Sequence, residues 1–204
     1  MKNIIFDLGG VVFTRNYAAC SKELLDFWKI LHSSETPQFW LDFDRGAITW
    51  EETVGMIANT MQYPYELANK ILHEALDRTE IAPDTHQLIK DLKSSGYHLF
   101  VLSNMSFEFI AKLHKHEVFK LIENEVISCD YNIVKPEPEI YEVALNKFNI
   151  EAADTLFIDD KPENTAAARK LGICAFDFDR YNATKSCKEL RNMLRTDFCP
   201  KNSF

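Results

Sequence analysis

Five short β-type runs, NIIF, HLFVL, EVIS, TLFI and ICAF, recur along this 204-residue chain, with helical stretches between them. Parallel neighbours need a long crossover, usually a helix, so strand and helix in alternation imply a parallel sheet with helices on both faces. The helical stretches carry their own stops. In PDTHQLIKDLKSSG, Leu88, Ile89 and Leu92 share helical spacing and Gly96 is the expected stop. Pro138 through Phe148 repeats that spacing with Ile140, Ala144, Leu145 and Phe148, and NTAAARKLG favours helix up to Gly172.

The interval from about Asn16 to Pro83 reads differently. It shows no convincing strand, and SKELLDFWKIL, WEETVGMIANTM and YELANKILHEAL predict helices. The expected division is therefore an α/β core over 1–15 and 84–204 and an inserted helical domain over 16–83. Phe27-Trp28, Phe39-Trp40 and Phe43 are expected to fill the apolar core of the insert, and the tail after about Thr196 is expected to fray.

With a formal charge of −8 and no Lys/Arg block, the chain is a poor match for nucleic acid or an anionic membrane. An anionic small molecule stays open, because a few local cations or a bound metal can reverse the field in one pocket. No basic-apolar leader and no apolar run near 18 residues is found, so a cytoplasmic location is expected. The five cysteines (Cys20, Cys129, Cys174, Cys187, Cys199) show no metal spacing and are expected to be reduced. His114 and His116 are expected to face solvent on an amphipathic helix.

The strand ends carry the unusual residues. An ionised Asp at the end of a core strand is costly unless paired. Asp7 holds that position, followed by Gly9 and Gly10, where the backbone either takes φ > 0 or leaves room for something. Ser103-Asn104 close the HLFVL run, Asp159-Asp160 close TLFI, and Lys135 precedes Pro136, which keeps it extended. In an open parallel sheet the C-terminal strand ends line one crevice, so these residues converge there. Clustered carboxylates repel unless a hard cation joins them, and such oxygen ligands suit Mg²⁺. Ser103 and Lys135 then read as a grip on an oxyanion, although Ser103-Asn104 alone would also serve as a helix cap.

In this order and spacing, FDLGGVV, VLSN, VKPEP and FIDDKPEN resemble the four signature motifs of the haloacid dehalogenase-like (HAD) hydrolase superfamily, from Asp7 to Asn164. The resemblance implies a Rossmann-like core with a helical cap between the first and second motifs. RGAIT, Arg45 to Thr49, resembles a cap loop of sugar-phosphatase-like members. It further implies that Asp7 is a nucleophile for phosphorus and that Asp7, the Gly9 carbonyl and Asp160 hold Mg²⁺. Ser103, Asn104 and Lys135 would bind the phosphoryl group, with Asp159 and Asn164 in support. One position departs from the pattern: phosphatases of the family usually carry an acid/base Asp where this chain has Gly9. The expected function is a Mg²⁺-dependent phosphatase of a small phosphorylated metabolite, sugar phosphates included. A metal-free 2-haloacid dehalogenase, or a phosphate-binding protein without turnover, stands as the alternative.

Overall fold

The computed structural model, which describes residues 2–32 and 36–195, gathers the apolar runs into one parallel sheet. In chain order the first elements are β1 (Asn3–Phe6), β2 (Phe13–Arg15), α1 (Lys22–Leu31), α2 (Gln38–Asp44), α3 (Trp50–Met61), α4 (Tyr65–Asp77) and β3 (Thr79–Ile81). Then follow α5 (Pro83–Ser94), β4 (His98–Ser103), α6 (Phe107–Leu113), β5 (Asn124–Ile127), α7 (Ser128–Tyr131) and α8 (Pro138–Phe148). The last are β6 (Thr155–Asp159), α9 (Pro162–Lys170), β7 (Cys174–Asp177) and α10 (Ala183–Arg195). The five-stranded sheet has the order β5-β4-β1-β6-β7, and every neighbour pair in it is parallel.

Successive strand residues point to opposite faces, so each strand divides its apolar side chains between two cores. Ile5, Phe100, Leu102, Val126 and Phe157 join Ile140, Tyr141, Ala144 and Ala168 on the face covered by α8 and α9. Ile4, Phe6, Leu99, Val101, Leu156 and Ile158 belong to the other cluster, which continues through α5 and α10 into α1, α3 and α4. The order of strands places the reversal between β1 and β6, and the crevice at their carboxyl ends is where a ligand binds in such sheets.

The stops fall where the sequence puts them. Gly96 and Gly172 take positive φ (84° and 80°) just beyond α5 and α9. Between β2 and β3, four α-helices and a short 3₁₀ turn lie among the described residues. Ser21 caps α1 through Leu24 N–H, and Thr49 with Glu52 forms a reciprocal capping box on α3.

Three expectations need correction. The interval 16–83 does hold a strand: Thr79–Ile81 pairs antiparallel with β2, a three-residue segment too short for a period-2 pattern to register. His116 is not on an amphipathic helix facing water. It is half-buried, accepts from Val118 N–H at the start of a 3₁₀ turn, and meets the Phe13 ring edge-on at 5.7 Å. His114 is exposed as expected and pairs with Glu125. Cys20, Cys129 and Cys187 are free thiols, whereas Cys174 is disulfide-bonded. The tail after Thr196, and Cys199 in it, lie outside the described residues. Among the described residues no helix is long and apolar enough to cross a membrane.

Phe157 lies on β6, between β1 and β7, fully buried and edge-on to Tyr141 at 5.7 Å. Phe157→Ala is expected to cost about 3–5 kcal/mol of stability by leaving a cavity there. Urea unfolding checks this, and a loss below about 1 kcal/mol would show that the site collapses without penalty.

Candidate active site

The carboxyl ends of β1, β4 and β6 meet around one buried ammonium. Lys135 Nζ donates to Asp7 Oδ1 at 2.8 Å, to Asp159 Oδ2 at 2.6 Å and to the Leu102 carbonyl at 3.0 Å. All three of its protons are thereby used. Burial opposes charge on Lys135, but the carboxylates of Asp159 and Asp7 outweigh it and raise its pKa. The Asn104 amide fixes the loop that carries it, donating to the Lys135 carbonyl at 2.9 Å and accepting from Lys135 N–H at 2.8 Å.

Asp7 is buried, and its Oδ1 accepts from both Lys135 and Ser103 Oγ (2.8 Å each). Its Oδ2 has no hydrogen-bond partner among the described residues, which leaves one oxygen of a pinned carboxylate available. The adjacent acids differ in kind. Both oxygens of Asp159 are engaged, by Lys135, by Lys161 N–H at 2.8 Å and by the Asn164 amide at 3.0 Å. Asp160 keeps a buried Oδ2 without a hydrogen bond, although Arg180 Nε stands 2.7 Å away as an ion-pair partner. Burial, and then the charge of Asp7, push Asp160 up to about 7.

The two glycines part company. Gly10 has φ +86°, and a Cβ there would lie 2.7 Å from Asp160 Oδ2. It is the residue that needs both the turn and the close approach. Gly9 has neither a positive φ nor any atom within 4 Å of a built Cβ.

These groups border a cavity of about 110 Å³. Asp7, Gly9, Asn104, Lys135, Asp160 and Asn164 line its floor. Arg15, Trp28, His32, Trp40, Asp44, Lys161 and Arg180 complete it, and none of these was singled out as a site residue from sequence. Trp28 and Trp40, expected as interior packing ahead of a substrate-stacking surface, pack in or against the core and also line the site. Arg15 lies over the Trp28 ring at 3.7 Å, and its Nε and the indole Nε1 are buried without an acceptor. Burial, with Arg180 and Arg15 nearby, lowers His32 to about 4, so its ring is neutral. Burial raises Asp44 to about 7, against the pull of Lys161. Arg15, Asp44 and Arg180 sit in no motif; Arg15 is an isolated charge just beyond the apolar VVF, whereas Asp44 and Arg180 have charged neighbours and carry no local signal.

Oxygens of Asp7, Asp159 and Asp160 lie within 4.8 Å of one another. Three carboxylates face two cationic side chains, Lys135 and Arg180, and Asp160 retains an unbonded oxygen. This donor set fits a hard divalent cation.

Residues 1–172 match the family model described as haloacid dehalogenase-like hydrolase. Over 95% of the chain, a sesquiterpene phosphatase of Aspergillus oryzae is 29% identical, with 96% of that protein covered. A drimenol cyclase of Aspergillus calidoustus is 26% identical over 95% of the chain, which spans only 37% of that enzyme. A HAD family enzyme from Bacteroides thetaiotaomicron, solved with magnesium and inorganic phosphate, superimposes with a TM-score of 0.71 at 24% identity. That likeness covers 88% of this chain and 95% of the other. A solved dehalogenase shares the fold at 19% identity with a TM-score of 0.68, covering 99% of this chain and 98% of its own.

The glycine geometry gives a direct test. Gly10→Ala is expected to destabilise by about 2 kcal/mol or more, from left-handed backbone plus the encounter with Asp160. Gly9→Ala is expected to stay within about 1 kcal/mol of wild type. Thermal unfolding of both variants decides it, and equal losses would contradict the assignment.

Proposed function

This chain belongs to the haloacid dehalogenase-like hydrolases, and from that premise we propose a Mg²⁺-dependent phosphatase that passes the phosphoryl group through Asp7. The observation that carries the proposal is the state of Asp7: one oxygen pinned by Ser103 and Lys135, the other unbonded, beside an acid with spare lone pairs. Asp7 Oδ2 attacks phosphorus and forms an aspartyl phosphate, and water then hydrolyses it. The cation, held by Asp7, the Gly9 carbonyl and Asp160, supplies Lewis-acid neutralisation of phosphoryl charge when bound. Lys135 holds Asp7 Oδ1 in place and puts positive charge beside the transferring group. Ser103 holds the nucleophile as well as offering a hydroxyl. The Asn104 side chain is spent on the Lys135 loop, so its contribution to phosphate binding falls to its backbone N–H. Asp159 and Asn164 support this frame.

We read 16–83 as a cap over the crevice and 1–15 with 84–204 as the catalytic core, β3 returning the chain to that core. Arg45 joins the two parts, bonding Glu137 through both terminal nitrogens (3.1 and 2.6 Å) two residues from Lys135. A cavity of about 110 Å³ holds the volume of roughly four waters. This supports a small phosphorylated metabolite as substrate, with Arg15 Nε and Trp28 Nε1 as donors its oxygens would satisfy. The aromatic wall and the sesquiterpene phosphatase relative favour a second reading, a terpenyl phosphate, which requires the cap to open further. Against a metal-free dehalogenase stands the paired acid Asp159-Asp160.

Hydrolysis of p-nitrophenyl phosphate is expected with Mg²⁺, to vanish in excess chelator and to return when Mg²⁺ is restored. Asp7→Asn is expected to lower kcat by about 10³-fold or more with the fold intact. Full turnover in chelator, or near wild-type turnover of the variant, would sink the proposal. Arg45→Ala is expected to raise KM for phosphorylated metabolites more than for p-nitrophenyl phosphate, because a loosened cap grips the organic part less. Equal effects on both would make Arg45 structural only.

A further inference from the structure

The phosphatase reading leaves one step without an agent. When the P–O bond breaks, the leaving oxygen needs a proton, and Gly9 offers no side chain to give it. The backbone there is open, with no atom within 4 Å of a built Cβ. One other carboxyl of the cavity is uncommitted. Asp7 is the nucleophile, Asp159 is filled by hydrogen bonds and Asp160 is paired with Arg180. Asp44, at the end of α2, lines the same cavity, and its carboxyl has no hydrogen-bond or ion-pair partner among the described residues.

Its placement is built, not incidental. Ser128 Oγ donates to the Asp44 carbonyl and accepts from Met105 N–H at 2.8 Å, which ties Asp44 to the exit of β4, two residues beyond Ser103. The next residue, Arg45, is bound to Glu137 and also donates to the Asn132 carbonyl at 3.2 Å. Gly46 follows with φ +73°, so close to the core that a Cβ would lie 2.8 Å from the Phe107 ring and 3.1 Å from Cys129. Three consecutive residues are locked to the core. Phe43 and Gly46 line a separate groove, whereas Asp44 lines the cavity that also holds Asp7.

We propose that Asp44 is the general acid and base of this site, carried by the insert and standing in for the carboxyl absent at Gly9. The assignment rests on the phosphatase reading. In the first step the Asp7 Oδ2–P bond forms, the P–O bond to the leaving group breaks, and the Asp44 proton goes to the departing oxygen. In the second, water attacks the phosphorus of the aspartyl phosphate and gives its proton to the Asp44 carboxylate. Inorganic phosphate leaves, and both carboxyls return to their starting states. The charged groups that act on Asp44 are Lys161, Asp7, Lys135 and Arg15. Burial and Asp7 favour its protonated form near neutrality, which suits a donor at the operating pH.

The test compares two esters in Mg²⁺. Asp44→Asn keeps the shape and removes the proton. It is expected to lower kcat for an alkyl phosphate by about 10²–10³-fold, since a general acid contributes in that range. On p-nitrophenyl phosphate, whose leaving group needs no proton, the initial burst of p-nitrophenol from phosphoryl transfer to Asp7 is expected to stay within about fivefold of wild type, which also reports that the variant is folded, while steady-state turnover falls because water attack loses its base. Adding Gly9→Asp to Asp44→Asn is expected to recover at least about tenfold on the alkyl ester, because the space at Gly9 is open. Parallel losses in the phosphoryl-transfer step on both esters, or no loss on the alkyl ester, overturn the assignment of Asp44 while leaving the phosphatase reading intact. A wild-type protein inert to both esters overturns that reading and this assignment with it.

Discussion

Everything at the crevice depends on the ammonium of Lys135 between Asp7 and Asp159. Two carboxylates at the ends of neighbouring buried strands repel, and desolvation adds to the cost. A buried cation with three acceptors converts that repulsion into a joint between β1, β4 and β6. Removing one partner of such a group typically costs about 3–5 kcal/mol, because the remaining charges stay buried and unpaired. Asp7, the proposed nucleophile, is therefore oriented by the same contact that closes this end of the sheet. Asn104 extends the joint, since its amide makes both bonds to the Lys135 backbone and so fixes the loop against β4.

The two adjacent acids show how one residue step separates structure from chemistry. Asp159 ends β6 inside the core, where five residues later the first turn of α9 supplies Asn164 to its oxygens. It is saturated and serves as a girder. Asp160 lies just past the strand, held close against the backbone of Gly10, and keeps an oxygen free of hydrogen bonds. The glycine pair makes the complementary division on the other side of the crevice. Gly10 is small because Asp160 must approach; Gly9 is small with nothing demanding it.

Most of the fold was legible because it obeys local rules: apolar runs of strand length, helices with Gly96 and Gly172 as stops, and polar strand ends that a parallel sheet brings to one edge. The floor of the site was legible for the same reason, since Asp7, Ser103, Lys135 and Asp160 follow or flank strands. What stayed hidden came from pairings made only in three dimensions. Arg180 meets Asp160 across a whole helix and strand, and Arg15 acquires its role by stacking on Trp28 of α1. Strand β3 exists because β2 offers it an edge, and its own three residues carry no pattern. The half-buried His116 likewise owes its place to Phe13 in the distant first segment.

The join between the insert and the core is strong in number and weak in each part. Arg45 and Glu137 are partly exposed, with side chains 22% and 38% accessible, and such a pair is worth about 1 kcal/mol or less. The Ser128 hydrogen bond adds about 1 kcal/mol net, and Gly46 contributes close packing without any charge. Each contact is therefore small, and the insert is held to the core by their combination. Asp7 is only 7% exposed, beside a cavity of about 110 Å³. Under the proposed mechanism a stronger clasp would trap the alcohol product beside Asp7, and a looser one would leave Asp44 without a fixed position. Asp44, Arg45 and Gly46 are consecutive, so the contacts that hold Arg45 and Gly46 to the core also fix Asp44, whose carboxyl has no hydrogen-bond or ion-pair partner among the described residues.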